Sequence, residues 1–111
     1  MRDELRRRQF RRIPISMPVM EELDEWTCEG QAIDLGALGM RYVKPASSRS
    51  VAGKEVVLQF RLPGDPRPIR VLGWVADDRV QGEERHTSVS FAFLRDEDAE
   101  RVCRMVSPEA A

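Results

Sequence analysis

The chain is short of the residues that do chemistry. Its one histidine, His86, stands between Arg85 and Thr87 at the expected start of a strand, with no nucleophile beside it in sequence. No HExxH, GxSxG or GKS/T-type phosphate loop occurs, so the chain reads as a binding module and not as an enzyme. Cysteine is nearly absent. Cys28 and Cys103 lie far apart, outside any CxxC or metal-ligand spacing, and are expected to be small buried hydrophobes; no metal or other cofactor is expected. No apolar run approaches the ~18 residues of a membrane span. The start, Met1-Arg2-Asp3-Glu4-Leu5-Arg6, lacks the apolar stretch of a secretory signal, so a cytoplasmic chain without membrane insertion is expected. Aromatic residues make up only 6%, few for a surface that stacks successive nucleic-acid bases. Between Ile13 and Met40 there is no lysine or arginine at all, while Glu21, Glu22, Asp24, Glu25, Glu29 and Asp34 are acidic.

Arginine fills the segment before that acidic stretch. Six arginines fall among the first twelve residues, and Arg7-Arg8-Gln9-Phe10-Arg11-Arg12 runs directly into the strand-like Ile13-Pro14-Ile15. The whole chain is near neutral, at a formal charge of −1, so this local excess of one sign points to an anionic partner. The choice of arginine over lysine matters physically. A guanidinium presents parallel N–H donors that match two phosphate oxygens or guanine O6 and N7, and its flat face stacks on a purine.

The remaining residues repeat with a period of two, which predicts strands. Ile13, Ile15, Met17 and Val19 share one face of the first, and Pro14 and Pro18 on the other suit an edge or bulged strand. Glu21 to Glu25 is expected as a polar turn, followed by a second strand through Trp26, Cys28, Ala32 and Ile33. A short third strand covers Met40 to Val43, and a Ser/Pro/Gly-rich loop follows from Lys44 to Gly53. A fourth alternates Val56, Leu58, Phe60 and Leu62, a fifth spans Ile69 to Ala76, and after a polar loop from Asp77 to Glu84 a sixth turns Val89, Phe91 and Phe93 inward. Asp96 is placed to cap a helix over about 96–106, with Ala99, Val102, Cys103 and Val106 on one face and Pro108 ending it. This predicts an all-β chain: one small six-stranded antiparallel β-barrel over 13–111 with a C-terminal helix, preceded by a flexible arginine arm over 1–12. OB-like and SH3-like barrels share that strand economy.

The run "RRQFRRIPI", followed some twenty residues later by "AIDLGALGMRYV", resembles the PilZ domain family. The resemblance extends to "GKEVVLQFRLPG", "IRVLGWV" and "VSFAFLRDEDAERV", and so covers nearly the whole chain. It implies a split β-barrel that receives the bacterial second messenger cyclic di-GMP through an RxxxR motif and a D/N-x-S-x-x-G motif. Arg8 and Arg12 match the first, with Arg7 as the additional preceding arginine; Asp34 and Gly39 match the second, and Gly36 stands where the family has serine. The expected ligand-binding residues are therefore Arg7, Arg8, Arg12, Asp34, Gly36 and Gly39. The arginines would take phosphate or base, Asp34 would accept from a guanine N1–H and N2–H₂ edge, and Gly39 would allow positive φ and a close approach of backbone to ligand. Arg7 resembles the position that lets family members hold a stacked ligand pair. Binding is expected to order the N-terminal loop and present a new surface to an effector protein governing motility, pilus function or exopolysaccharide export.

Plainer readings stand beside these. The arm is readable as a solvated tail, Asp34-Leu35-Gly36 as a simple turn, and Phe10 as an anchor of the loop or a stacking ring. Trp26 and Trp74 are expected to pack in the barrel. The missing serine admits a degenerate PilZ domain that acts by protein contact alone. A third reading is a small nucleic-acid-binding barrel with salt-dependent affinity, although no nucleic-acid partner is expected from so few aromatics.

Overall fold

The computed structural model describes residues 11–107. Its strands are β1 (Arg12–Leu23), β2 (Trp26–Gly36), β3 (Gly39–Pro45), β4 (Glu55–Phe60), β5 (Ile69–Gln81) and β6 (Glu84–Phe93), followed by helix α1 (Asp96–Val106). All pairings are antiparallel, in the order β1-β2-β3-β6-β5-β4, and β1 pairs again with β4 to close the barrel. Closure covers the middle of the sheet, while the first half of β1 and the last residues of β5 extend past the short β4. The expected six-stranded antiparallel barrel with a C-terminal helix is the architecture found.

Alternation builds the core. Val19, Leu35, Met40, Tyr42, Leu58 and Ile69 point inward and are essentially buried, each removing apolar surface from water at ~25 cal/mol per Å². Helix α1 adds Val102 and Val106 to this cluster, with Met105 packed alongside. It is tied down by Arg101, whose Nε donates to Asp65 Oδ2 at 3.0 Å, Nη2 to the Arg67 carbonyl at 2.6 Å and Nη1 to Asp98 Oδ1 at 2.8 Å. Because Asp65 and Arg67 belong to the β4–β5 connection, the helix lies at the end of the barrel where β4 stops and β5 starts. The first residues of β1 and the β2–β3 hairpin belong to that same end, as the strand registers require. The opposite end carries the β1–β2 turn and the 46–54 loop.

Several boundaries move. Glu21, Glu22 and Leu23 stay in β1, and the turn shrinks to Asp24 and Glu25, with Asp24 at φ 54°. Strand β5 continues through Asp77–Gln81, where a polar loop was expected, because these residues pair with Glu84–Ser88 of β6. Both prolines of β1 are accommodated. A register shift falls between Pro14 and Met17, and β4 pairs with β1 only over Val19–Glu22, past both rings.

Side-chain placement is corrected in five places. Trp26 and Trp74 do not pack in the barrel; both face outward and are more than half exposed. Phe93 is exposed and Phe91 only partly buried, because the β5–β6 register slips between Leu72 and Gly73 and the last turn of β6 loses its alternation. Cys28 is half-buried and Cys103 exposed, so neither is a core residue. The buried face of α1 is Asp98, Arg101, Val102 and Val106. Asp96 is the first helical residue and not its cap; Arg95 holds the cap position without a side-chain bond.

Candidate ligand-binding site

At the helix-covered end, β1 begins with Arg12 opposite Gly36, the last residue of β2, and Pro14 faces Asp34. The hairpin then turns through Ala37 and Leu38, so Gly36 pairs with Gly39 and Asp34 with Arg41. These registers gather Arg12, Asp34, Gly36, Gly39 and Arg41 on one outer patch. Asp34 is 7% exposed. A buried carboxylate needs compensation, and two arginines supply it: Arg12 Nη1 donates to Oδ1 at 2.6 Å, and Arg41 Nε donates to Oδ2. Both guanidinium groups remain about half exposed, so the cationic side of the pair faces solvent.

The two glycines are there for space. Neither has positive φ, which among the glycines occurs instead at Gly53, Gly64 and Gly82, so the positive φ expected at Gly39 is not found. A Cβ on Gly39 would sit 2.4 Å from the Val89 carbonyl oxygen, because β3 and β6 pass closely there. The Arg12 guanidinium also crosses it, with Nη2 3.4 Å from that point. At Gly36 a Cβ would meet the Arg11 carbonyl oxygen at 3.0 Å and Arg12 Cγ at 3.1 Å. A serine there is conformationally allowed but crowded. The hydroxyl it would add comes with a displacement of Arg12.

The patch continues across the sheet. Gly39 pairs with Ser90, and Ser90 with Trp74. These residues form one outward row, with the indole two strands, or roughly 10 Å, from Gly39. The Phe91 N–H donates to the Leu38 carbonyl at 2.8 Å and fixes the hairpin tip against β6. Ser90 thus lies between the arginine–aspartate cluster, whose Arg12 guanidinium covers the buried Gly39, and an exposed aromatic face. Arg7, Arg8 and Phe10 lie outside the described residues.

Protein-family sequence comparison matches residues 6–107 to the PilZ domain. The chain belongs to the PilZ domain family. No curated protein matches it significantly. Solved structures agree on the fold. The chain is similar to the Bacillus subtilis inhibitor of motility MotI/DgrA, with TM-score 0.81 and 18% identity, over 94% of this chain and 51% of that one. It thus spans about half the length of that relative. It is also similar to the PilZ domain of Escherichia coli YcgR, solved with c-di-GMP, with TM-score 0.66 and 18% identity over 94% of both chains. Borreliella burgdorferi PlzA, also in complex with c-di-GMP, matches with TM-score 0.63 and 11% identity, over 98% of this chain and 55% of that one.

Within this PilZ domain, two residues of the patch escape the sequence motifs. Arg41 had a readable signal: if Gly36 and Gly39 flank a two-residue turn, Asp34 and Arg41 must face each other. Trp74 had none, since β5 is apolar on both faces from Leu72 to Ala76.

A second polar cluster lies inside the opposite end of the PilZ barrel. Lys44, fully buried, donates to both oxygens of Glu21 at 2.9 Å, and the Tyr42 hydroxyl donates to the same carboxylate. Burial, then the Glu21 charge, pushes the Tyr42 hydroxyl far above its ordinary pKa. Next to it Asp78 accepts from the Val51 N–H at 2.7 Å and the Thr87 hydroxyl at 3.0 Å. Burial pushes its carboxyl up, but those bonds with the charges of Lys44 and Arg85 outweigh it and hold the group below the usual range. A cleft of about 560 Å³ opens nearby, lined by Glu21, Trp26, Cys28 and Arg49 among others. The Arg49 guanidinium covers the Trp26 ring at 4.9 Å. Burial and Glu21 raise the Cys28 thiol, which opposes thiolate formation. Among the described residues no cluster of His, Cys, Asp and Glu could hold a metal, and no helix is long and apolar enough to cross a membrane.

Proposed function

We propose that this PilZ domain is a bacterial, cytoplasmic receptor for cyclic di-GMP that acts as an adaptor and not as an enzyme. The observation that carries the reading is the convergence of Arg12, Asp34, Gly36 and Gly39 on one outer patch. They come from two motifs far apart in sequence, and the family match spans both motifs. In this reading a guanine offers its N1–H and N2–H₂ edge to Asp34, and its ring lies over Ser90 toward the Trp74 face. Arg12, with Arg7 and Arg8 from the preceding segment, takes the phosphates through charge-assisted bonds. Arg7 supplies the extra cation that a stacked pair of ligands, with four phosphate charges, requires. The complexes of YcgR and PlzA with c-di-GMP support the ligand class.

Ligand binding would then order the arginine segment over the helix-covered end and present a changed surface to an effector protein in motility, pilus or exopolysaccharide control. The inhibitor of motility MotI shares the fold. The other reading is a degenerate PilZ domain that works by protein contact alone. Gly36 favours it, since the family's serine is missing and the space for one is crowded.

Calorimetric titration of the purified chain with cyclic di-GMP separates the two. Saturable binding below about 100 μM, at about two ligands per chain, is expected. Absence of heat, together with absence of displacement of a labelled ligand over that range, would leave only the protein-contact reading.

A further inference from the structure

Asp34 is the acceptor that the receptor reading assigns to guanine, and it is already occupied. One oxygen takes Arg12 Nη1 at 2.6 Å and the other takes Arg41 Nε. Arg41 belongs to neither family motif. The two-residue hairpin places it directly across from Asp34, and its side chain is 56% exposed, so it can swing into water with little loss of packing. Its chemistry is that of the ligand edge. A guanine N1–H/N2–H₂ edge and an arginine guanidinium both contain a planar N–C–N unit with parallel N–H donors; Arg41 uses one of its donors, Nε on Oδ2, while Oδ1 stays with Arg12.

From this geometry we infer that Arg41 is a built-in stand-in for the guanine edge: it holds Asp34 in the free protein and is displaced when a guanine base binds. The inference rests on the receptor reading above and concerns how that same site is regulated. Without Arg41 the free protein would keep a nearly buried carboxylate paired with Arg12 alone. Arg41 shares Asp34 with Arg12 at a cost in affinity, because the ligand gains only the difference between its own bonds and those it replaces. Apparent affinity scales with the fraction of Asp34 that is free of Arg41. The exchange also has selectivity. Adenine presents an acceptor at N1 and no N2 amine, so an adenine dinucleotide cannot take Arg41's place.

The direct test follows the Arg41 Nε–H resonance in ¹⁵N-labelled protein, assigned by comparison with Arg41→Lys. In the free protein the proton should exchange slowly and resonate downfield. Saturating cyclic di-GMP should move it to the position of a solvated arginine, and cyclic di-AMP should leave it in place. In parallel, Arg41→Ala is titrated at about 0.5 M salt, where a Debye length of roughly 4 Å screens the lost long-range attraction. It should bind cyclic di-GMP at least about threefold tighter than the parent. If the parent binds but the Arg41 resonance stays put at saturation, or if Arg41→Ala binds no tighter, the exchange is wrong while the receptor reading stands. If only Arg41→Ala binds, the stand-in is confirmed in its extreme form. If neither protein binds, both proposals fall.

Discussion

At the scale of single residues the candidate site depends on three kinds of contact, and each predicts a different response. Arg12 holds Asp34, and in the proposed complex it would also bring charge to the ligand. Arg12→Ala should weaken cyclic di-GMP binding by more than about tenfold, since bonds to charged groups are among the stronger ones. Asp34→Ala should cost somewhat less. Parent-like titrations for both variants would place the ligand elsewhere. The two tryptophans offer a contrast that needs no ligand geometry. Both are exposed, but Trp74 lies in the row of Gly39 and Ser90 whereas Trp26 lies at the other end of the barrel beneath Arg49. Stacking on an aromatic face is worth about 1–3 kcal/mol per base. Trp74→Ala should therefore reduce affinity about fivefold or more, and Trp26→Ala should leave it unchanged. Equal effects of the two would remove Trp74 from the site. The row was not legible beforehand: in β5 the residues Leu72, Trp74 and Ala76 alternate with Val71, Gly73 and Val75, and both sets look fit for a core. The inward set is chosen by fit. Gly73 lies where a Cβ would stand 2.3 Å from Val89 Cγ1.

Among the elements, the helix and the β2–β3 hairpin decide how the site is held. The hairpin was readable, since two glycines around Ala37-Leu38 close it and bring Asp34 and Arg41 into register. The helix was readable in extent, Asp96–Val106, but not in facing. Its apolar spacing suggested Cys103 as a core residue, whereas the buried side includes Asp98 and Arg101 because those two join the clasp onto Asp65 and the Arg67 carbonyl. A charged residue becomes buried when a partner on another element satisfies it, and that partner is 36 positions away in sequence. Arg101→Ala strips three acceptors of a donor at once and should lower the unfolding midpoint by about 5 °C or more. Thermal denaturation followed by circular dichroism measures this. A shift under about 1 °C would mean that apolar contacts of Val102 and Val106 hold the helix without the clasp.

The whole barrel is closed at its two ends by different means: a helix at one, and at the other a buried set of charges beneath the 46–54 loop. Asp78 is central there, because its bond from the Val51 N–H holds the loop's buried Val51 in place. Its folded pKa lies below the ordinary carboxylate value of 3.8. The stability it contributes is therefore full above about that pH and is lost as pH falls through the folded value. Asp65, also lowered through its bonds to Arg67 and Arg101, acts in the same direction. Between pH 5 and pH 3 the unfolding midpoint of the parent should drop. Asp78→Asn should start lower at pH 7 and lose less over that interval. A variant that falls as steeply as the parent would assign the acid sensitivity to other groups.

Strand number and order, the antiparallel hairpins, the final helix and the family can all be read from the sequence. These follow from local periodicity, turn residues and two motifs whose members lie close together in the chain. It also named Arg12, Asp34, Gly36 and Gly39, all of which the hairpin and the start of β1 bring together. Closure of β1 on β4 and the pairing of β3 with β6 emerge only in the folded barrel, because such contacts are set by how complementary faces meet and not by any local preference. The same holds for Lys44. Among serines, prolines and glycines it reads as a loop residue; in the barrel it is fully buried, since only there does it meet the carboxylate of Glu21 from a strand 23 positions earlier.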